Sequence, residues 1–385
     1  MNQVCSIFSQ VLKLFSRGDF EKAVKEHKAE RHARGFTSWG QFVAMLFCQL
    51  GRAHSLREIC GGLACCEGRL KHLGVPVAPK KSTLAYANEH RPWQLYQTVF
   101  EHTLGKCQEL VSAQGGRKKF RFKNKLLSLD GSIIDLSVSM FDWAKYRQTK
   151  GAIKLHLLLD HDGYLPSFAV VTEGKTSEIK VVRTLRFDPG TILAIDRGYI
   201  DYDWFRELTQ EEVYFVTRMK EKAVYAVKDE LSIPRNSNVV KDQIVCFPRL
   251  ARDGEEAVLF RRVEILDAEK QERVVFLSNL LVFGATTIAA IYKDRLKQTL
   301  KIKTFVGTSA NAVRTQVWTA LIAMLVLKYL QLKSQFSWSL SNLAALLRQQ
   351  LFFYRDLYVW LDDPFQAPPA LAGVPDNAQQ LPITW

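Results

Sequence analysis

A chain of 385 residues can bury a large core and is expected to hold two or three domains. Its 47% apolar content is ordinary for a globular protein, and its seven cysteines, odd in number and without C-x-x-C spacing, exclude a zinc ribbon or a disulfide frame. Lys and Arg outnumber Asp and Glu by 53 to 39, and the net charge of +14 points to a polyanionic partner, nucleic acid ahead of an anionic membrane surface.

Met1 to Phe15 mixes polar and apolar residues and carries no signal-peptide pattern. Residues 1 to about 110 read as wholly helical. Thr37-Ser38 offers a cap, and Trp39, Phe42, Val43, Leu46, Phe47 and Leu50 follow at helical spacing. Gly51 ends that helix, Ser55 caps the next, and Lys80-Lys81-Ser82 opens another after Pro76 and Pro79. These short helices fit a helix-turn-helix in which Lys80 and Lys81 meet phosphate. They fit a plain helical bundle with a solvated basic corner equally well.

Next comes a glycine hinge, Gly115-Gly116, and a strip of six cations with Phe120 and Phe122 between them. Lys118, Lys119 and Arg121 in this strip are read as holding DNA backbone close to the site that follows. From Leu126 the pattern turns to strands: Leu126–Asp130, Ile153–Leu159, Ser167–Val171, Thr191–Asp196 and Val213–Thr217, with helices at Glu178–Leu185 and Trp204–Thr209. Hairpin strands followed by strand–helix–strand make a mixed sheet flanked by helices, an α/β fold. Residues from about 221 to 282 are short and β-rich, and read as an insertion before a helix at Ala285–Tyr292. The most apolar stretch, Val317–Leu327, stops at Lys328, short of the roughly 20 residues a membrane span needs, and is a core helix. Beyond Asp363-Pro364 the tail is rich in Pro, Ala and Gln, the composition of a disordered segment.

Two apolar runs end in aspartate: Leu126-Leu127-Ser128-Leu129-Asp130-Gly131 and Ile192-Leu193-Ala194-Ile195-Asp196-Arg197-Gly198-Tyr199. Unbroken apolar runs read as strands buried on both faces, and open α/β sheets place ligands at such strand ends. Asp130 and Asp196 are therefore the candidate catalytic and metal-holding carboxylates. Mg²⁺ takes hard oxygen ligands, one or two of them carboxylates, and paired ions can hold both oxygens of an in-line phosphoryl displacement. Gly131 and Gly198 are read as letting a DNA backbone approach closely. Asp135, Asp160, Asp162, Asp201 and Asp203 read as turn and cap residues.

With Tyr292-Lys293-Asp294-Arg295 added, the chain resembles the IS4 family of insertion-sequence transposases, which have an RNase H-like DDE core. The resemblance covers most of the length, including Tyr214-Phe215-Val216-Thr217-Arg218 and the β-rich insertion, but not the tail after about residue 363. It implies a helical DNA-binding domain over 1–112, an RNase H-like DDE domain over 120–362, Mg²⁺ (with Mn²⁺ as a substitute), and DNA as partner, both element ends and target. It also implies a homodimer on DNA, a cytoplasmic, nucleoid-associated protein and no membrane. In the family's Y-x2-R-x3-E-x6-K signature the Glu completes the metal site, and Tyr292, Arg295, Lys297 and Arg197 are assigned to phosphate or DNA. Thr299 stands where the Glu belongs, and no glutamate follows Glu272. If Lys297 is the motif's lysine the chain is nine residues short, about 13.5 Å of helix and a half-integral number of turns. Asp294 is the nearest other acid; it precedes Arg295 and is expected on a different face. The resemblance thus implies a metal-dependent transposase impaired by loss of its third carboxylate. A catalytically inactive protein that occupies element ends or inhibits an intact transposase is the alternative, and a structural basic protein with no DNA role is the third.

Overall fold

The computed structural model describes residues 5–31, 33, 35–66, 68, 70–114, 120–136, 145–147, 150–173, 177–251, 254, 256–267, 271–295 and 305–365. Helices α1 (Ile7–Leu12), α2 (Arg17–Glu26), α3 (Ser38–Gly51), α4 (Leu56–Ala64), α5 (Lys81–His90) and α6 (Gln94–Ala113) open the chain. The Thr37 hydroxyl accepts the Gly40 N–H and the Ser55 hydroxyl accepts the Glu58 N–H, so α3 and α4 start where their caps predict. The start of α5 differs: Lys80 holds the capping position without a side-chain hydrogen bond. Lysine has no acceptor to offer the free N–H groups there.

These helices share one core with the C-terminal helices α7 (Ala310–Lys333), α8 (Leu340–Gln350) and α9 (Leu357–Asp362). Phe8, Phe42, Tyr96 and Phe100 pack with Val317, Leu321, Leu325 and Trp360. The Asn311 amide donates to the carbonyls of Asn88 and Arg91 at 2.8 and 2.6 Å, fastening α7 to the end of α5. At 24 residues α7 is longer than the apolar stretch predicted, and by length and composition it could cross a membrane. Yet 72% of its most apolar window is buried inside the protein, as the core-helix reading requires.

Among the described residues the sheet has ten strands: β1 (Leu126–Leu136), β2 (Lys145–Arg147), β3 (Lys150–Asp160), β4 (Leu165–Glu173), β5 (Ile192–Ile195), β6 (Tyr214–Arg218), β7 (Ala226–Glu230), β8 (Val239–Cys246), β9 (Leu259–Asp267) and β10 (Glu272–Ser278). Their order is β2-β3-β1-β5-β6-β10-β9-β8-β7, with β4 also on β3. β1, β3 and β4 are antiparallel, while β1, β5 and β6 run parallel. This is the mixed sheet expected of an RNase H-like core. The β-rich segment extends that sheet, because β10 pairs antiparallel with β6 from Phe276↔Arg218 to Ser278↔Val216. A bidentate pair of Arg261 with Asp242, at 2.8 and 2.7 Å, is buried within this extension.

Helices cover both faces. On one lie α10 (Glu178–Val182) and α11 (Tyr202–Gln210), with Phe205 stacked on Phe215 at 4.0 Å. On the other lies α12 (Ala285–Arg295), whose Ile288, Ile291 and Tyr292 pack on Ile192, Ala194 and Val216.

Candidate active site

β1 and β5 pair in parallel from Leu126↔Ile192 to Leu129↔Ile195. The Asp196 N–H donates to the Leu129 carbonyl at 3.1 Å, so Asp130 and Asp196 each stand one residue beyond the last paired rung. Neighbouring strands run about 4.8 Å apart, which brings the two acids side by side at the C-terminal edge of the parallel strands. Leu127, Leu129, Leu193 and Ile195 belong to the core under α11, whereas Leu126, Ile192 and Ala194 belong to the core under α12. Continuing the alternation turns both aspartates to the α12 side. One expectation needs correcting: β1 does not end at Asp130 but runs on to Leu136 against β3, with Asp130 opposite Leu157. Asp130 thus marks where β1 loses its parallel neighbour.

Asp196 begins a single helical turn, Arg197–Tyr199; its carboxylate accepts the Arg197 N–H at 2.6 Å and its carbonyl accepts the Tyr199 N–H at 3.0 Å. The turn folds Tyr199 back beneath β1. Its hydroxyl donates to the Asp130 carbonyl at 3.2 Å and lies 2.8 Å from His156 Nδ1. A Cβ on Gly131 would fall 2.8 Å from that hydroxyl, so Gly131 makes room for Tyr199 and not for an approaching DNA backbone. Gly198 is different, since a Cβ there would meet nothing nearer than 3.8 Å. His156 Nε2 lies 2.9 Å from the Thr172 hydroxyl. Burial holds the His156 imidazole down to about 4, with Glu178 opposing and Lys154 assisting.

A second network lies on the α12 side. Ser128 Oγ is 2.5 Å from His161 Nε2, His161 Nδ1 is 2.8 Å from Asp294 Oδ2, and the Tyr164 hydroxyl donates to the same oxygen at 2.8 Å. Ser128, His161 and Asp294 are all buried. Asp294 is directed into the sheet. It seats the end of α12 against β1, two residues from Asp130 and on the same face. Ser, His and Asp in hydrogen-bond series resemble a nucleophilic triad, but Ser128 is 1% exposed and cannot meet a substrate.

The other predicted residues scatter. The Tyr292 ring is buried against Phe276, with centroids 5.2 Å apart. Arg197 reaches Glu221 at 3.4 Å on the surface. Arg295 is the last residue of α12, and nothing is described of its side chain; Lys297, Lys118 and Lys119 lie outside the described residues. Arg121 is exposed, while Phe120 and Phe122 stack on each other at 5.1 Å and turn inward on Phe283. The aromatics anchor the strip and do not present faces to bases. The strip also enters β1 at its far end, leaving Lys125 about 16 Å along the strand from Asp130. Lys80 and Lys81 are exposed at the start of α5. A cleft of about 560 Å³ walled by Arg17, Lys25, Lys28 and Arg31 over Phe20 and Trp39 had no signal in the sequence beyond scattered cations.

Two carboxylates at adjacent strand ends fit one hard divalent cation, which commonly takes its remaining oxygens from phosphate and water. Among the described residues no group of three or more His, Cys, Asp or Glu could hold a metal. The donor set suits one ion and falls short of a symmetric pair.

The residue pattern of the family described as "Transposase DDE domain" matches residues 121–326, and that of a domain of unknown function, DUF4372, matches residues 3–76. A protein of Sinorhizobium fredii named as the transposase y4zB is 29% identical over 317 residues, covering 78% of this chain and 85% of that protein. A protein of Geobacillus stearothermophilus named as the transposase for insertion sequence element IS5377 is 26% identical over 272 residues, covering 68% and 70%. A solved structure titled as a piggyBac transposase synaptic complex with hairpin DNA aligns with 97% of this chain and 86% of that one, at 11% identity and a TM-score of 0.41. With the DDE pattern spanning more than half its length, the chain belongs to the family of DDE-domain transposases.

Proposed function

We propose that this chain binds the ends of an insertion sequence of the IS4 type and acts on them through Asp130 and Asp196, with strand cleavage weakened by the missing third carboxylate. The observation that carries this reading is the register of β1 and β5, which sets the two acids side by side at one sheet edge. Asp130 and Asp196 would hold Mg²⁺ or Mn²⁺, which when bound polarises a phosphodiester and its attacking water. The chain's own part is to hold both carboxylates side by side, and to bring cations to the DNA backbone. Arg197, Arg121, Lys80, Lys81 and, outside the described residues, Lys118, Lys119 and Lys297 are assigned that second task; Arg295 and the Tyr292 hydroxyl are assigned to phosphate beside the acids. A net charge of +14 supports DNA as partner, and two chains acting together on two ends is the assembly proposed.

Losing one ligand of such a centre costs on the order of 10²–10³ in rate. A second reading follows from the same gap: an end-binding protein without cleavage, able to inhibit an intact transposase. The absence of glutamate after Glu272 favours it. Purified chain incubated with end DNA and Mg²⁺ or Mn²⁺ separates the two. Slow nicking abolished by Asp130→Ala supports the first. A salt-sensitive gel shift with no nicking supports the second, and binding that ignores salt removes both.

A further inference from the structure

We propose that Tyr199 is a positioning residue that fixes the spacing of the Asp130–Asp196 pair, and that His156 and Thr172 hold it in place. The proposal rests on the reading of that pair as metal-holding. The parallel ladder gives out at Leu129↔Ile195, so the strands carry both acids one residue beyond their last paired rung. The Asp196-Arg197-Gly198-Tyr199 turn bridges that gap. It starts at one acid, through two hydrogen bonds to Asp196, and ends with the Tyr199 hydroxyl on the backbone of the other.

One placement of the hydrogens gives every atom of the relay a partner. A phenol has one proton, and Tyr199 gives it to the Asp130 carbonyl at 3.2 Å. Its oxygen then accepts from His156 Nδ1–H at 2.8 Å, which leaves Nε2 as an acceptor for the Thr172 hydroxyl at 2.9 Å. The three side chains thus form one oriented series, with a neutral imidazole at its centre. Tyr199 and His156 are each 0% exposed, so no water competes for these bonds. Space enforces the same arrangement: Gly131 is small where Tyr199 Oη and Cε2 would lie 2.8 and 3.3 Å from a Cβ. Lys154, two residues before His156, pairs with Glu178 at 2.8 Å, and Glu178 lies beside Gly198 on the outer side of the turn. The turn is therefore held from both sides.

Tyr199 never touches the cation. Its effect passes through the Asp130 backbone, and partners of this kind are worth about 10–100-fold in metal affinity when removed. Mn²⁺ alone is titrated into the purified full chain, by calorimetry or by water-proton relaxation, for wild type, Asp130→Asn, Tyr199→Phe, His156→Gln and a surface control, Glu256→Gln. Phenylalanine keeps the ring and its packing, so the fold is retained. Expected is the loss of most Mn²⁺ affinity in Asp130→Asn, a loss of about 10-fold or more in Tyr199→Phe, a smaller loss in His156→Gln and none in the control. If Asp130→Asn weakens Mn²⁺ binding while Tyr199→Phe lowers only the melting temperature, the positioning role is overturned and the metal pair stands. If wild type and Asp130→Asn bind Mn²⁺ alike, the metal reading fails and the proposal with it.

Discussion

Two buried polar networks grip β1 from opposite faces, and they are built differently. On the α11 face, Thr172, His156 and Tyr199 make a neutral series that ends on a backbone carbonyl. On the α12 face, Ser128, His161 and Tyr164 converge on a carboxylate, Asp294. The neutral series holds a strand already fixed by its ladder. The charged one ties α12 to β1, and it sits one residue before Arg295, where the described part of α12 ends. A buried carboxylate with two donors on one oxygen is costly to disturb, because whatever loses its partner stays buried. The α12 side is therefore the more vulnerable.

The largest expected effect tests whether that clamp still seats the helix. Inserting nine residues after Arg295, with a glutamate at the fourth, should raise nicking of end DNA by about 10²–10³. No gain would mean that the end of α12 is out of register with Asp130. Next, Asp294→Ala should cost about 3 kcal/mol in denaturant unfolding, since His161 and Tyr164 both lose their acceptor, and Asp294→Asn should cost clearly less. Equal losses in the two variants would show that the charge matters and not the hydrogen bonds.

On the α11 side the two glycines give a sharper contrast. Gly131→Ala should cost about 1–3 kcal/mol by displacing Tyr199, whereas Gly198→Ala should stay within about 0.5 kcal/mol. Similar values for both would remove the steric reason for Gly131. The last test is in pH. His156 is held down to about 4 by burial, well below its ordinary 6.5, so the unfolded chain takes up a proton that the folded chain refuses. Stability is lost as pH falls from 6.5 towards 4. Melting temperatures of wild type should fall faster across that window than those of His156→Gln, and parallel curves would show that His156 titrates freely.

Much of the site's frame was legible because it is local. The caps at Thr37 and Ser55, the strand runs around Asp130 and Asp196, and the helix at Ala285 depend on side chains a few residues apart. What could not be read depends on contacts far along the chain. Asp294 finds His161 across 133 residues, and Tyr199 finds His156 across 43. His156 was visible as a polar residue inside the apolar run Ile153–Leu159, and Tyr199 stood in the quoted motif, but neither had a partner in view. Phe120 and Phe122 could not be placed for the same reason, since alternation with cations does not say which residue meets a core.

By itself the sequence determined that two apolar runs each end in an aspartate, that the chain is strongly basic, and that no glutamate follows Glu272, because apolar runs, charge and spacing are properties of the covalent chain. Only the tertiary structure decided that those aspartates stand in adjacent register, that Gly131 yields its space to Tyr199, and that Asp294 is engaged as a clamp. Strand pairing and buried hydrogen bonds are chosen by which distant groups lose their water together, and no local pattern records that choice.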